Sequence, residues 1–317
     1  MPSKGSSQVS RQLDIYNLKF EWPGERMLIG PCTFTPADDY CDRYGKLQHL
    51  VEVGGGYCGS TKAVTGTHQV TGVVQLPDEA QPAALGWGHE SPTALDDILL
   101  LLSIFTGRKV FALDPATAAG PIIADPREFH YGGGVALSLG QVKRVGEDGV
   151  DEYALDLAMG TTRILDLIRS SSWRSAYRDG RFLFTFAAAC PRQILETSFL
   201  LCWTTWEHLF ALHHASTLSR KEIENTPAKK KIADILVRYA LRKTVPAAHN
   251  KKLGELARVR NMLVHVGGFP NPEAEEVADI FVRLTEMLVA RTLGLTPSTV
   301  FSADERFERF LDARQLI

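Results

Sequence analysis

The hydrophobic pattern of this 317-residue chain changes its period about halfway along, and this change limits the fold more than any other feature. In the first half, short segments alternate apolar and polar residues, which is the period of a half-buried strand. These segments are 12–20, 26–34, 47–53, 68–76, 108–113 and 135–145. From about residue 151, apolar residues recur every three or four positions, as in an amphipathic helix. The sequence therefore predicts an α+β protein.

Helix start and stop signals divide the chain further. Thr93 and Asp96 form a capping-box pattern before the apolar run ALDDILLLLSIF, so one helix interrupts the strands. Later helices are predicted at 192–214, 228–242, 250–265 and 273–293, with Gly267 and Gly268 ending the third of them. We therefore expect a β-rich N-terminal domain at 1–165 and an all-α helical bundle at 166–317.

Cysteine spacing and the N-terminal segment bear on the cellular compartment. The five cysteines are irregularly spaced and form no CxxC pair, which argues against a disulfide framework or a zinc site. The segment MPSKGSSQVSRQ lacks the apolar core of a secretory signal, and no apolar run is long enough to span a bilayer. We expect a cytoplasmic protein that uses no metal or other cofactor.

Positive charge is concentrated in one segment. Residues 220–260 contain twelve Lys or Arg and four acidic residues, a balance of +8, whereas the whole chain carries −2. Such a segment can bind a polyanion such as RNA, or it can be the solvated surface of ordinary helices. The charge pattern alone leaves both interpretations open.

Two other patterns are weaker. In GGGYCGSTK, at 54–62, the lysine follows the serine and threonine, whereas a phosphate-binding P-loop needs Gly-Lys-Ser/Thr in that order. A glycine-rich turn is the better interpretation. His208, His213 and His214 lie on one predicted helix, but their spacing does not suit a helical zinc site, so we expect a cluster near a helix end.

The segment RNMLVH, at 260–265, has the strongest chemical pattern. On a helix Asn261 and His265 share a face, and Arg260 lies about 100° around from Asn261. Histidine can transfer a proton near neutral pH, and the planar fork of arginine fits phosphate oxygens. One group can therefore assist attack by a ribose 2′-OH or protonate the leaving oxygen, while the other stabilises charge on the phosphorane. These are the minimum groups for cleaving RNA without a metal.

RNMLVH followed by Gly-Gly, on a late helix of a C-terminal bundle, resembles the HEPN superfamily with its R-x(4–6)-H motif. The segment WTTWEHLFAL is similar to the region that opens such bundles, and the two-part organisation is similar to the ApeA-like group. The resemblance covers about residues 170–295. It implies a homodimer in which two R-x4-H motifs face each other, and a composite cleft that cuts single-stranded RNA and leaves a 2′,3′-cyclic phosphate.

By this resemblance Arg260 and His265 are the expected catalytic pair, and Asn261 orients the histidine or the phosphate. Arg258, Lys251 and Lys252, on the same predicted helix, are expected to bind RNA. Many members are toxins or antiviral effectors. In some toxins the motif continues as His-x-Tyr and the tyrosine is modified, whereas Val266 and Gly267 follow the histidine here, which puts that regulation in doubt.

Other interpretations remain open. The bundle can be a non-catalytic adaptor that binds RNA or protein, in which Arg260 pairs with Glu255 or with an acid of the last helix and His265 caps its own helix. The β-rich N-terminal half matches no motif. We expect it to recognise a trigger or a regulatory protein, because an unrestrained ribonuclease would be toxic to its host.

Overall fold

The computed structural model of the chain describes residues 11–18, 20, 24–47, 50–53, 56–59, 68–77, 93–106, 109–116, 141–145, 151–155, 157–189, 195–242 and 250–295. The chain forms two compact units, Met1–Asp166 and Leu167–Ile317, and the boundary falls within one helix, α3 (Leu157–Arg169). The protein is of the mixed α+β class, as its hydrophobic pattern predicts.

The main element of the first unit is an antiparallel sheet of five strands. They are β1 (Arg11–Tyr16), β2 (Met27–Ile29), β3 (Cys32–Pro36), β6 (Val70–Leu76) and β7 (Phe111–Leu113), in the spatial order β2-β3-β6-β1-β7. The prediction of one strand at 26–34 was wrong. Gly30 takes a φ of +54°, which turns the chain and pairs Ile29 with Cys32 in a hairpin.

Alternating burial gives the sheet its core face. The side chains of β3 alternate between buried and half-exposed, and Cys32 and Phe34 are fully buried. Gly72 of β6 lies where the backbone of β3 and the ring of Phe20 approach closely. A Cβ atom there would lie 2.7 Å from the Phe20 ring and closer still to the carbonyl oxygen of Thr35. Only glycine fits this position without a shift of backbone.

The first unit has further elements. They are α1 (Tyr40–Leu47), β4 (Leu50–Val53), β5 (Gly56–Gly59), α2 (Ala94–Thr106), β8 (Gln141–Val145) and β9 (Asp151–Leu155). β4 pairs with β5 and β8 with β9, each in antiparallel fashion. The expectation of helix from about residue 151 was wrong for Asp151–Leu155, which form β9, and the helix α3 begins at Leu157. The capping box that begins α2 is confirmed, since the Asp96 carboxylate accepts from the Thr93 N–H at 2.8 Å and the Thr93 hydroxyl accepts from the Asp96 N–H. Most of the glycine-rich segment 54–62 lies outside the described residues.

The described part of the second unit is helical. After α3 come α4 (Ser171–Tyr177), a 3-10 turn (Arg178–Gly180), α5 (Arg181–Ala189), α6 (Leu195–His214), α7 (Arg220–Asn225), α8 (Ala228–Arg238), α9 (Asn250–Val266) and α10 (Pro272–Thr292). α6 packs against α5, α8, α9 and α10 and is the central helix of the unit. The helices predicted at 192–214, 228–242, 250–265 and 273–293 are confirmed as α6, α8, α9 and α10.

Aromatic side chains hold α6 against α10. The rings of Phe199, Trp203 and Trp206 surround Phe281, with centroid distances of 5.2–5.6 Å. The indole N–H of Trp206 donates to the hydroxyl of Thr285 at 2.8 Å, and both side chains are buried. This bond satisfies a polar group that would otherwise be orphaned in an apolar core.

The predicted glycine ends α9, and a side-chain cap begins α10 a few residues later. Gly267, with a φ of +81°, comes directly after the last residue of α9, and its N–H donates to the carbonyl of Leu263 at 3.0 Å. Asn271 then caps α10 by accepting from the Ala274 N–H, and Pro272 occupies the first helical position. The C-terminal turns of α9, which carry RNMLVH, therefore have a sharply defined end.

Candidate active site

The exposed face of α9 carries two residues of the predicted triplet. Asn261 and His265 are exposed and one helical turn apart, while Leu256, Val259 and Leu263 are buried on the opposite side. This separation follows from the sequence, because the apolar residues recur with the helical period. His265 is the second-last residue of α9, so its ring is presented near the end of the helix.

Arg260 lies on the flank of α9 that faces α6. Its Nη1 donates to Asn261 Oδ1 at 2.9 Å, and its guanidinium carbon lies 5.5 Å from the centre of the Trp203 ring. About one third of its side chain is exposed, at 33%. A cation above an indole face is held by electrostatic attraction to the ring, so Trp203 and Asn261 together restrict the orientation of the guanidinium.

Among the described residues, Arg260 forms an ion pair with Glu207 of α6. Its Oε1 lies 3.8 Å from Arg260 Nη2 and also 3.8 Å from Lys231 Nζ of α8. The Lys231 ammonium in turn lies 5.8 Å from the centre of the Phe210 ring. The sequence-based alternative paired Arg260 with Glu255 or with an acid of the last helix. The ion pair found for Arg260 in the described structure is with Glu207 of α6, and Glu255 lies 3.3 Å from Lys252.

Asn261 contacts the arginine of the triplet. The prediction gave its amide the task of orienting the histidine or the phosphate, whereas its oxygen accepts from Arg260 in the structure. Arg260 and His265 are separated by about 140° around the helix axis and about 7.5 Å along it, which follows from five residues of ideal helix. Asn261 therefore links the arginine to the face of α9 that carries the histidine.

The three residues predicted to bind RNA have different surroundings. Arg258 is exposed on the same face as His265. Lys252 is only 6% exposed and pairs with Glu255, because it lies on the buried side of α9 with Leu256 and Val259. Its position therefore contradicts the expectation of a surface contact with RNA. Lys251 also belongs to α9, but its side chain lies outside the described part of the structure.

The histidines of α6 have separate partners. His213 Nε2 is 2.6 Å from the Tyr239 hydroxyl, and His214 Nε2 is 3.1 Å from Asp234 Oδ2. Burial lowers the pKa of His213 and of His208, and nearby arginines lower both further. Among the described residues, no group of three or more His, Cys, Asp or Glu side chains could hold a metal ion. His213 and His214 therefore make polar contacts between α6 and residues of α8 or directly after it.

The sequence reasoning missed two contacts of Arg260, Trp203 and Glu207, and also Lys231, which shares Glu207 with it. Trp203, Glu207 and Phe210 are spaced by four and three residues, so a helical projection of α6 places them on one face. That projection identifies a row of candidates, whereas contact with α9 depends on how the helices pack.

None of the helices in the described ranges combines the length and the apolarity that crossing a bilayer requires. Comparison with protein-family models, with curated proteins and with solved structures gives no match to this chain.

Proposed function

We propose that this chain is a metal-independent endoribonuclease of the HEPN type, which works as a homodimer and serves as an antiphage or toxin-type effector. One observation supports the proposal above others. An exposed histidine and a partly exposed, oriented arginine lie on the last turns of one helix, where Arg260 is the last residue of the basic segment 220–260 and His265 follows it by five residues. The finer classification rests on the resemblance of RNMLVH to the family motif.

His265 has the freedom that proton transfer requires. Its exposed ring can accept the proton of a 2′-OH or protonate the leaving 5′-oxygen of single-stranded RNA. Arg260 offers N–H donors to the phosphate oxygens, whose charge increases as the phosphorane forms. Attack by the 2′-OH on the adjacent phosphorus breaks the bond to the 5′-oxygen, so a 2′,3′-cyclic phosphate and a 5′-hydroxyl are produced.

A second copy of the chain would complete this site. Because Arg260 and His265 leave the axis of α9 about 140° apart, one helix does not direct both groups at the same phosphate. Val264 and Val266 flank His265 in the sequence and are 55% and 68% exposed, so a partner helix would also remove apolar surface from water. A two-fold pair of α9 helices would bring together the histidine of one copy and the arginine of the other.

The test is cleavage of labelled single-stranded RNA in the presence of EDTA. We expect Arg260→Ala and His265→Ala each to slow cleavage by about 100-fold or more, the usual effect of removing a general acid–base group or a charge-stabilising donor. Arg220→Ala is the matched control, because Arg220 is 92% exposed on α7 and pairs with Glu224, four residues farther along the same helix. The new 3′ ends should carry the cyclic phosphate.

Two results would contradict the proposal. Cleavage that persists in both variants at the rate of the control would remove Arg260 and His265 from the chemistry. Binding of the RNA by the native protein without any cleavage would instead favour the non-catalytic adaptor. That alternative has one observation in its favour, since Arg260 already has partners within the unit, namely Asn261, Trp203 and Glu207.

A further inference from the structure

One carboxylate oxygen in the helical unit lies between two cations from different helices. Oε1 of Glu207 is 3.8 Å from Lys231 Nζ and 3.8 Å from Arg260 Nη2. Lys231 Nζ and Arg260 Nη2 are therefore separated by at most twice 3.8 Å. Both separations exceed a direct hydrogen bond of about 2.9 Å, so each ion pair is weak.

The row Trp203, Glu207, Phe210 on α6 supports this arrangement. Arg260 lies over the Trp203 ring at 5.5 Å, and Lys231 lies over the Phe210 ring at 5.8 Å. The two rings lie one turn on either side of Glu207 and hold the cations by their electronegative faces. Glu207 itself is 40% exposed, so solvent and ligands can reach its carboxylate.

A phosphodiester can bind the same pair of cations. Its two free oxygens can each accept from one cation, whereas in the structure a single carboxylate oxygen is shared at long range. Binding of a phosphate there would be opposed by the charge of Glu207, because two anions would compete for Lys231 and Arg260.

We propose that Lys231 is a second phosphate-binding residue of the site, and that Glu207 is an internal counter-anion that a phosphate of single-stranded RNA displaces. This inference rests on the proposed function for the identity of the ligand. It adds a residue of α8 to the individual RNA-binding residues that the sequence analysis named, which all lie on α9. The basic segment then contributes a specific pair of cations in addition to its overall charge.

The experiment measures binding without cleavage. Fluorescence anisotropy would follow a labelled 2′-O-methyl RNA, which lacks the attacking hydroxyl and is not cut by the proposed mechanism. The variants are Glu207→Gln and Lys231→Gln, each prepared in the full-length chain and checked by circular dichroism. Glu224→Gln and Lys230→Gln are matched controls, since they change the charge equally at exposed positions on α7 and α8.

We expect Glu207→Gln to tighten binding by about two- to fivefold relative to Glu224→Gln, the range of a weak, partly exposed ion pair. Lys231→Gln should weaken binding more than Lys230→Gln does. It should also reduce the slope of log K against log salt by about 0.7, the value for one phosphate contact of a single strand. Lys231→Arg, which keeps the charge, should restore most of the affinity.

Three results would overturn the inference: weaker or unchanged binding by Glu207→Gln, a Lys231→Gln variant that behaves like Lys230→Gln, or no measurable RNA binding by any of the proteins. Its failure can be told apart from that of the proposed function. If the binding pattern holds but unmodified RNA is never cut, the phosphate site stands and the ribonuclease does not. If cleavage depends on Arg260 and His265 but substitutions of Glu207 and Lys231 do not change RNA affinity, the ribonuclease stands and the phosphate site does not.

Discussion

Replacing Thr285 by valine tests the contact that joins α6 to α10. The Thr285 hydroxyl accepts from the Trp206 indole N–H at 2.8 Å, with both residues almost fully buried. Valine has nearly the same shape, so the change removes the acceptor without opening a cavity. It leaves the indole N–H without a partner in an apolar core.

The size of the effect follows from that orphaned group. An unsatisfied buried donor costs about 1–3 kcal/mol, and we expect Thr285→Val to lower the free energy of unfolding by this amount. The hydroxyl also donates to the Phe281 carbonyl at 2.8 Å. Loss of that second bond adds little, because a carbonyl inside a helix also accepts from a backbone N–H.

Thr204→Val is the matched control. Thr204 is an exposed threonine of α6 whose hydroxyl donates to the Leu200 carbonyl at 2.9 Å. The same substitution there changes helix propensity equally and leaves no buried group unsatisfied, so it should alter stability by less than about 0.5 kcal/mol. Urea unfolding followed by far-UV circular dichroism compares the two variants. Equal midpoints would show that the Trp206 bond contributes no stability, and the description of this core contact would be wrong.

Three further substitutions test other positions. Gly72→Ala should destabilise the sheet unit by about 3 kcal/mol or more, because the new methyl group meets a backbone carbonyl and an aromatic ring. Gly254→Ala should stabilise α9 by about 0.5–1 kcal/mol, because the position is helical with open space around it. Thermal unfolding should show a lower melting temperature for Gly72→Ala and a higher one for Gly254→Ala. Burial and Arg238 lower the pKa of His213 in the folded state, so its contribution to stability is complete above the unfolded value of about 6.5 and is lost as the pH falls below it. His213→Asn should therefore reduce the loss of melting temperature between about pH 7.5 and about pH 5.5, and an unchanged loss would contradict this assignment.

The period of the hydrophobic pattern was enough to locate the long elements of both units. It identified α6, α9 and α10 within a few residues, because long helices repeat their signal over several turns. It failed at 26–34, where Gly30 and Pro31 mark a turn between two short strands. It also missed α1, whose eight residues present too few apolar positions for a clear period.

The candidate site could be predicted only where it depends on one helix. The exposure of Asn261 and His265 follows from their position opposite Val259 and Leu263. The burial of Lys252 could have been found in the same way, since it precedes Val259 by seven residues and so shares its face. Contact between Arg260 and Glu207 joins residues that are far apart in the sequence, and no local pattern encodes it.

Subunit exchange can test whether the arginine and the histidine of one proposed site come from the same copy of the chain or from two copies. If each site takes its arginine from one copy and its histidine from the other, a mixed dimer of Arg260→Ala and His265→Ala contains one complete site. Random exchange of equal amounts should then restore about a quarter of the native cleavage rate, because half of the dimers are mixed and each has one of its two sites. If both groups act from the same copy, mixing restores nothing, since every copy lacks one of them. The divergence of about 140° between the two side chains favours the first outcome. Failure to restore activity after verified subunit exchange would refute the shared site and leave the two groups to act within one copy.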